Sequence, residues 1–139
     1  MQAHYGIGSY YTKENADYSK DFYDNNMVCI SSSNPERLYF KGLFENIKKN
    51  DIVFLKSIKR KRRRLIVRAI GEVLRDDIDN NDYGYKRDVK WLTPFNEDGL
   101  IEIKIIRDGG SQRTGRIFQE FNPNIIGEIE EIIKKYRRD

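Results

Sequence analysis

Two apolar runs, Asp51-Ile52-Val53-Phe54-Leu55 and Leu65-Ile66-Val67-Arg68-Ala69-Ile70-Gly71-Glu72-Val73, flank six consecutive basic residues, Lys59-Arg60-Lys61-Arg62-Arg63-Arg64. Short runs of Ile, Val and Leu joined by a polar stretch read as a β-hairpin, which concentrates the basic run at its tip. Like charges packed so tightly repel, so the arrangement stabilises nothing until an anion neutralises it. A polyanion, and nucleic acid first among them, is the natural candidate. The candidate phosphate contacts are Lys56, Lys59, Arg60, Lys61, Arg62, Arg63, Arg64 and Arg68.

The charge is local. Residues 1–50 carry six Lys/Arg against six Asp/Glu, residues 51–75 nine against two, and residues 76–139 eleven against fourteen. The net of +7 on one 25-residue segment exceeds the +4 of the whole chain. That asymmetry reads as a binding face, not a uniformly basic surface.

At 139 residues the chain is expected to form one domain over residues 1–139, with a single core. Charged residues make up 35%, yet sixteen Tyr and Phe supply potent apolar surface, so a folded domain is expected and not a disordered chain. Cys29 is the only cysteine, which excludes an intramolecular disulfide and a multi-cysteine metal site. Between Val28 and Ile30 it reads as a buried strand residue. The N-terminus has neither a basic leader nor an apolar core, and no stretch approaches the roughly 18 apolar residues of a membrane span. The expectation is a cytoplasmic protein with no membrane partner.

Along the chain, a strand is expected around Tyr5–Tyr11, then an irregular segment, then a strand at Met27–Ile30. Pro35 opens a helix reaching about Lys49, with Phe40, Leu43, Phe44 and Ile47 at the i, i+3, i+4, i+7 spacing of one buried face. After the hairpin come an acidic loop at Asp76–Asp82 and strands at Tyr85–Leu92 and Leu100–Ile106. A turn at Asp108-Gly109-Gly110 leads to a strand around Arg113–Phe118. Asn122 and Pro123 suit the cap and first turn of a last helix, whose stripe Ile125, Ile126, Ile129, Ile132, Ile133, Tyr136 is amphipathic. Five to six strands with few helices give an α+β, mainly β class: a small barrel with helices outside it.

Lys49-Asn50-Asp51-Ile52-Val53-Phe54-Leu55-Lys56, then Ala69-Ile70-Gly71-Glu72-Val73, then Val89-Lys90-Trp91 together resemble the PUA-like superfamily, whose branches include the EVE, YTH and ASCH domains. The resemblance covers roughly residues 45–92. Asn50 stands where that pattern has glycine. The resemblance implies a pseudo-barrel of five to six strands with flanking helices and an aromatic-lined pocket that receives a single, often modified, base. It also implies a bacterial restriction or phage-defence setting, with a larger defence-system effector as a further partner.

A flipped base needs a ring to stack on and donors for its polar edge. Trp91, on a strand face shared with Tyr85, Arg87 and Val89, is the first candidate for such a base pocket. Tyr10 and Tyr11, following Gly6-Ile7-Gly8-Ser9, are the others; for each ring the alternative is core packing. The rival chemistry is a metal-dependent nuclease using Asp88, Glu102 and Lys104, in the carboxylate and acid-x-Lys pattern that holds Mg²⁺. Chance composition predicts about two acid-x-Lys triplets and two occur, so this signal equals its background. Asp77-Ile78-Asp79-Asn80-Asn81-Asp82 begins like a calcium loop but lacks the glycine at position 6 and the glutamate at position 12. His4 is the sole histidine, and there is no Walker or Gly-x-Gly-x-x-Gly motif, so neither a catalytic residue nor a cofactor or metal is expected. The sequence therefore favours a non-enzymatic module that binds DNA or RNA, with a nuclease or a protein-interaction subunit as alternatives.

Overall fold

The computed structural model describes residues 2–32, 37–59, 63–105, 113 and 115–137. In chain order the elements are β1 (His4–Gly8), β2 (Tyr10–Tyr11), β3 (Ala16–Asp17), α1 (Ser19–Asp24), β4 (Met27–Ile30), α2 (Arg37–Asn46), β5 (Ile52–Lys59), β6 (Arg64–Val73), β7 (Asp79–Asn81), β8 (Gly84–Trp91), β9 (Ile101–Lys104), β10 (Ile117–Gln119) and α3 (Pro123–Arg137). The fold is α+β and mainly β. Its main sheet runs β10-β1-β5-β6-β8-β4, with β7 beside β8 and β9 beside β6, and it curls into a half-barrel.

The predicted hairpin is the middle of this sheet. In β5, Ile52, Val53, Phe54 and Leu55 are all at most 1% exposed, as a strand covered on both faces must be. Ile52 and Phe54 join one apolar cluster, Leu55 and Val53 the other. β5 pairs antiparallel with β6, from Ile52 opposite Glu72 to Lys59 opposite Arg64. Its other edge pairs parallel with β1, from His4 opposite Ile52 to Gly8 opposite Lys56.

A bulge interrupts β6. Leu55 faces Ala69 and Lys56 faces Val67, which leaves Arg68 without a partner on β5. An extra residue flips side-chain alternation and bends the strand. Both effects are visible: Leu65 and Val67 face the cluster under α3, whereas Ala69 and Val73 face the opposite one. Beyond the bulge β6 pairs with β8 at Gly71–Val73; before it, the same edge pairs with β9 at Arg64–Val67. The bend at Arg68 is thus where the sheet changes neighbour and curls.

α3 closes one face. The Asn122 side-chain oxygen accepts from the amides of Asn124 (2.9 Å) and Ile125 (3.4 Å), and Pro123 occupies the first turn. Ile125, Ile129 and Ile133 then pack on Ile52, Phe54, Leu65 and Phe118, each burial worth about 1.5–3 kcal/mol. The other face is covered by α1, α2 and an edge-to-face cluster of Tyr11, Tyr18, Phe22 and Tyr83. Phe40 and Phe44 are buried on the expected face of α2, Ile47 is buried just past its end, and Cys29 is buried on β4, where burial pushes its thiol up to about 12.

Several local expectations change. The irregular segment before β4 holds α1. The acidic loop contains β7, paired with β8 through Asp79 opposite Lys86. Gly84 closes that turn at φ 125, where an added Cβ would lie 2.1 Å from the Ile30 carbonyl oxygen, so only glycine fits. α2 stops at Asn46, short of Lys49, because the chain turns through Asn50 at φ 75. Asparagine is, after glycine, a residue that tolerates positive φ. Arg113 lies in a turn and not in a strand, and β10 covers only Ile117–Gln119. The start of the expected helix at Pro35 and the Asp108-Gly109-Gly110 turn lie outside the described residues. Among the described residues, no helix is long and apolar enough to cross a membrane.

Candidate functional site

The strands run further into the basic run than expected, so only residues 60–63 connect them. Arg60, Lys61 and Arg62 lie outside the described residues. Arg63 is exposed at φ 48; the other described non-glycine residues at positive φ are Asn15, Asn26 and Asn50. Asparagine tolerates that conformation, whereas an arginine there costs about 1–2 kcal/mol. Arg64 stands directly opposite Lys104 of β9, a like-charge pairing that destabilises a sheet. Lys59 is the exception, with its ammonium on the Glu102 carboxylate. The tip of the hairpin thus carries local costs that nothing in the fold requires.

Two expected phosphate contacts are not at the tip. Lys56 is 6% exposed, and its ammonium donates to the Arg113 carbonyl at 2.8 Å and sits 5.7 Å from the Phe118 ring centre. Arg68, the bulge residue, is half-buried, with its guanidinium on the Asp17 carboxylate and 3.3 Å from the Ser19 hydroxyl. An exposed row of cations along the hairpin is therefore the wrong picture for these two. Both line a pocket of about 450 Å³, the root pocket, set below the tip beside the bulge of the hairpin, with Gly8, Tyr10, Ser57 and Arg116. The pocket opens where β1 ends: an added Cβ at Gly8 would come within 3.3 Å of the Lys56 side chain, so a glycine there leaves the lysine its space.

The pocket's electrostatics follow from burial. Burial, with the Arg116 charge adding to it, lowers the Lys56 pKa from its ordinary 10.5 to about 8. Burial would raise the pKa of Asp17, but hydrogen bonds from Ser9, the Ser19 amide and Arg68 outweigh it and lower the value. The Lys56 shift has a direct consequence for stability. Below pH 8 the amine is protonated in both folded and unfolded chains and the full penalty applies; above 10.5 it is neutral in both and the penalty is gone. Stability should therefore rise across that window, by on the order of 3 kcal/mol from this group. Urea unfolding at a series of pH values should show the rise in wild type, and Lys56→Met should lack it. An identical pH profile in both proteins would mean that Lys56 is not held desolvated.

The three expected base-pocket rings do not converge. Tyr11 is buried, its hydroxyl donating to the Tyr83 carbonyl at 2.8 Å. Tyr10 is 51% exposed on the rim of the root pocket, with its hydroxyl on the Asn15 side chain. Trp91 lies opposite Gly71, roughly 20 Å along β6 from the hairpin tip. A depression of about 410 Å³ does open beside it, lined by Tyr23, Asn26, Leu74, Val89 and Lys90. Tyr23 already lies over the indole at 5.2 Å and 31°, so one face is taken. Arg87, expected on that same recognition face, is fully buried in the core.

The nuclease constellation does not assemble. Asp88 is bound by Arg75 (3.1 Å) and Lys86 (3.3 Å), and its backbone meets Leu74 just beyond the end of β6. Glu102 stands opposite Ile66, eight positions away along the same strand, or roughly 25 Å. Carboxylates so far apart cannot share a metal ion.

Ser57, Asp17 and Arg116 belong to the root pocket and carried no sequence signal. Arg116 reaches it only through the pairing of β10 with β1, and Asp17 through the β2–β3 ribbon. The chain matches no known protein-family model, and no curated protein matches it either.

Proposed function

We propose that this protein is a cytoplasmic, non-enzymatic nucleic-acid-binding module of the PUA-like kind, which grips DNA or RNA by its phosphates through the β5–β6 hairpin. The observation that carries this reading is the hairpin tip itself. Arg63 sits in a conformation that suits glycine or asparagine, and Arg64 opposes Lys104. Local rules broken without a structural return are the mark of a functional segment. The excess of seven positive charges on residues 51–75 gives a polyanion a reason to bind there. The curled α+β sheet is compatible with the pseudo-barrel that the resemblance implies.

Each phosphate neutralised releases condensed counterion, so log K should fall against log salt with a slope of about −2 to −4 for three to four contacts. Replacing Arg60, Arg62 and Arg64 with glutamine should flatten that slope by about one to three units and weaken all sequences alike, because phosphate contacts position without specifying. Fluorescence anisotropy with a labelled oligonucleotide, titrated with salt on both proteins, measures this. An unchanged slope, or no binding at low salt, removes the proposal.

A further inference from the structure

The root pocket differs in chemistry from the surface of the hairpin. Three cationic side chains, Lys56, Arg68 and Arg116, line it with one carboxylate, Asp17, a local balance of three positive charges to one negative. Two polar atoms of its lining residues, the Ser57 hydroxyl oxygen and Arg68 Nε, are closed off from solvent and have no hydrogen-bond partner among the described residues. Buried polar atoms are nearly always satisfied, so these two are a cost in the ligand-free lining that a small shift toward a ligand's acceptors would relieve. The Lys56 ammonium is nine-tenths buried with no carboxylate against it among the described residues, and its hydrogen bond goes to a neutral carbonyl. Among the described residues, Tyr10 is the one aromatic ring in the lining. A base needs stacking faces; this lining offers donors and positive charge.

We propose that the root pocket binds a terminal phosphomonoester of a nucleic acid, a 5′- or 3′-phosphorylated end, with Lys56, Ser57, Arg68 and Arg116 as its donors. This rests on the nucleic-acid reading above and sharpens it to strand ends. A phosphate within a strand carries one negative charge and is hindered by sugars on both sides, so it meets side chains at a surface. A terminal phosphate carries about two charges near neutral pH, bears a single substituent and offers three acceptor oxygens. That matches a concave site with a net of two positive charges and several donors. Arg116 is held for this role by donating to the Tyr10 carbonyl at 3.1 Å and lying over the Tyr11 ring at 5.1 Å. Arg68 is brought in by the bulge and steadied by Asp17, and Lys56 by the Arg113 carbonyl.

The groups around Lys56 also tie binding to pH. Among the described residues, Arg116 disfavours its charge, Asp17 is occupied by Arg68, and the Phe118 ring and Arg113 carbonyl lie against it. A bound dianion would restore the counter-charge, so the complex takes up a proton at Lys56 when it forms at pH 8–9.

The experiment compares three oligonucleotides of one sequence, carrying a 5′-phosphate, a 3′-phosphate or hydroxyls at both ends, on wild type, Lys56→Met, Arg116→Gln and the Arg60/Arg62/Arg64→Gln variant. Circular dichroism and thermal melts confirm that each protein is folded. Phosphorylated ends should bind at least tenfold tighter to wild type, with the favoured end identified by which of the two gains. Lys56→Met and Arg116→Gln should erase the preference while keeping the salt-dependent binding of the hydroxyl-ended strand. The hairpin variant should weaken all strands and keep the ratio. Calorimetry at pH 8.5 in two buffers of different ionisation enthalpy should show proton uptake with the phosphorylated strand alone. Equal affinity for all three strands, with salt dependence intact, overturns the pocket proposal and leaves the hairpin reading standing. Absence of binding by every strand at low salt overturns both.

Discussion

Arg87→Ala should lower the free energy of unfolding by about 3–5 kcal/mol, among the largest losses available to one substitution in this chain. Arg87 is fully buried at the centre of β8. Its guanidinium donates to the Phe44 carbonyl at 3.0 Å and the Arg75 carbonyl at 3.2 Å, and stacks 5.9 Å from the Phe44 ring centre. One side chain therefore bonds a carbonyl in the last turn of α2, which also accepts from the Ile47 amide at 3.3 Å and where positive charge is favoured, and a second carbonyl past the end of β6. Truncation leaves both acceptors without this donor and opens a cavity, so two costs add. Arg87→Met keeps most of the volume and should lose less than alanine. Equilibrium urea unfolding reads both, and in a chain of this size alanine should also lower Tm by about 10 °C or more. A loss under 1 kcal/mol would mean that α2 does not depend on this contact.

Arg87 also shows where the sequence was legible and where it was not. The alternation Tyr85, Arg87, Val89, Trp91 correctly marks a strand and a shared face, but alternation cannot tell a core face from a recognition face. An arginine is taken for a surface residue by default, and only the position of α2 over β8 makes it internal. The same division runs through the molecule. The β5–β6 hairpin, Cys29 on its strand and α3 with its Asn122 cap are each encoded within a single continuous stretch of chain, and those are the elements that local periodicity identifies. The parallel pairing of β1 with β5 joins residues 48 positions apart, which no local pattern announces. The bulge at Arg68 has no residue signature, since arginine is not a bulge-former by propensity. The root pocket depends on both of these, together with the arrival of Arg116 from β10's approach. So Lys56 and Arg68 were legible as cations, while their removal from the hairpin's exposed surface was not. Trp91, Tyr10 and Tyr11 drew attention as rings, but the separation of Trp91 on β8 from β2, and the burial of Tyr11 beside an exposed Tyr10 on β2, are matters of topology.

Glu120→Ala should be comparably damaging, at about 3–5 kcal/mol, and it reaches the root pocket by a different route. Glu120 and Arg113 form a bidentate pair of 2.6 and 2.7 Å with side chains 0% and 4% exposed. Glu120 also accepts from the Asn122 amide at 3.1 Å, immediately before α3. Removing the carboxylate takes from a buried guanidinium the charge that Glu120 supplies and loosens the entry to α3, whose Ile125, Ile129 and Ile133 hold one face of the sheet. A buried pair is costly to break and far less costly to replace whole. The double variant Arg113→Met with Glu120→Leu should therefore recover most of the stability that Glu120→Ala loses, and a double-mutant cycle should show strong coupling between the two positions. The Arg113 carbonyl, which accepts from Lys56, belongs to the backbone and survives both changes. If the fold recovers in the double variant, the turn that carries this carbonyl is placed by packing, and the pH-dependent stability assigned to Lys56 should return with it. If stability recovers while that pH dependence stays lost, the ion pair is what fixes the turn, and through it the position of the lysine at the floor of the pocket. Urea unfolding of the four proteins of the cycle, at pH 7 and pH 10, separates the two outcomes.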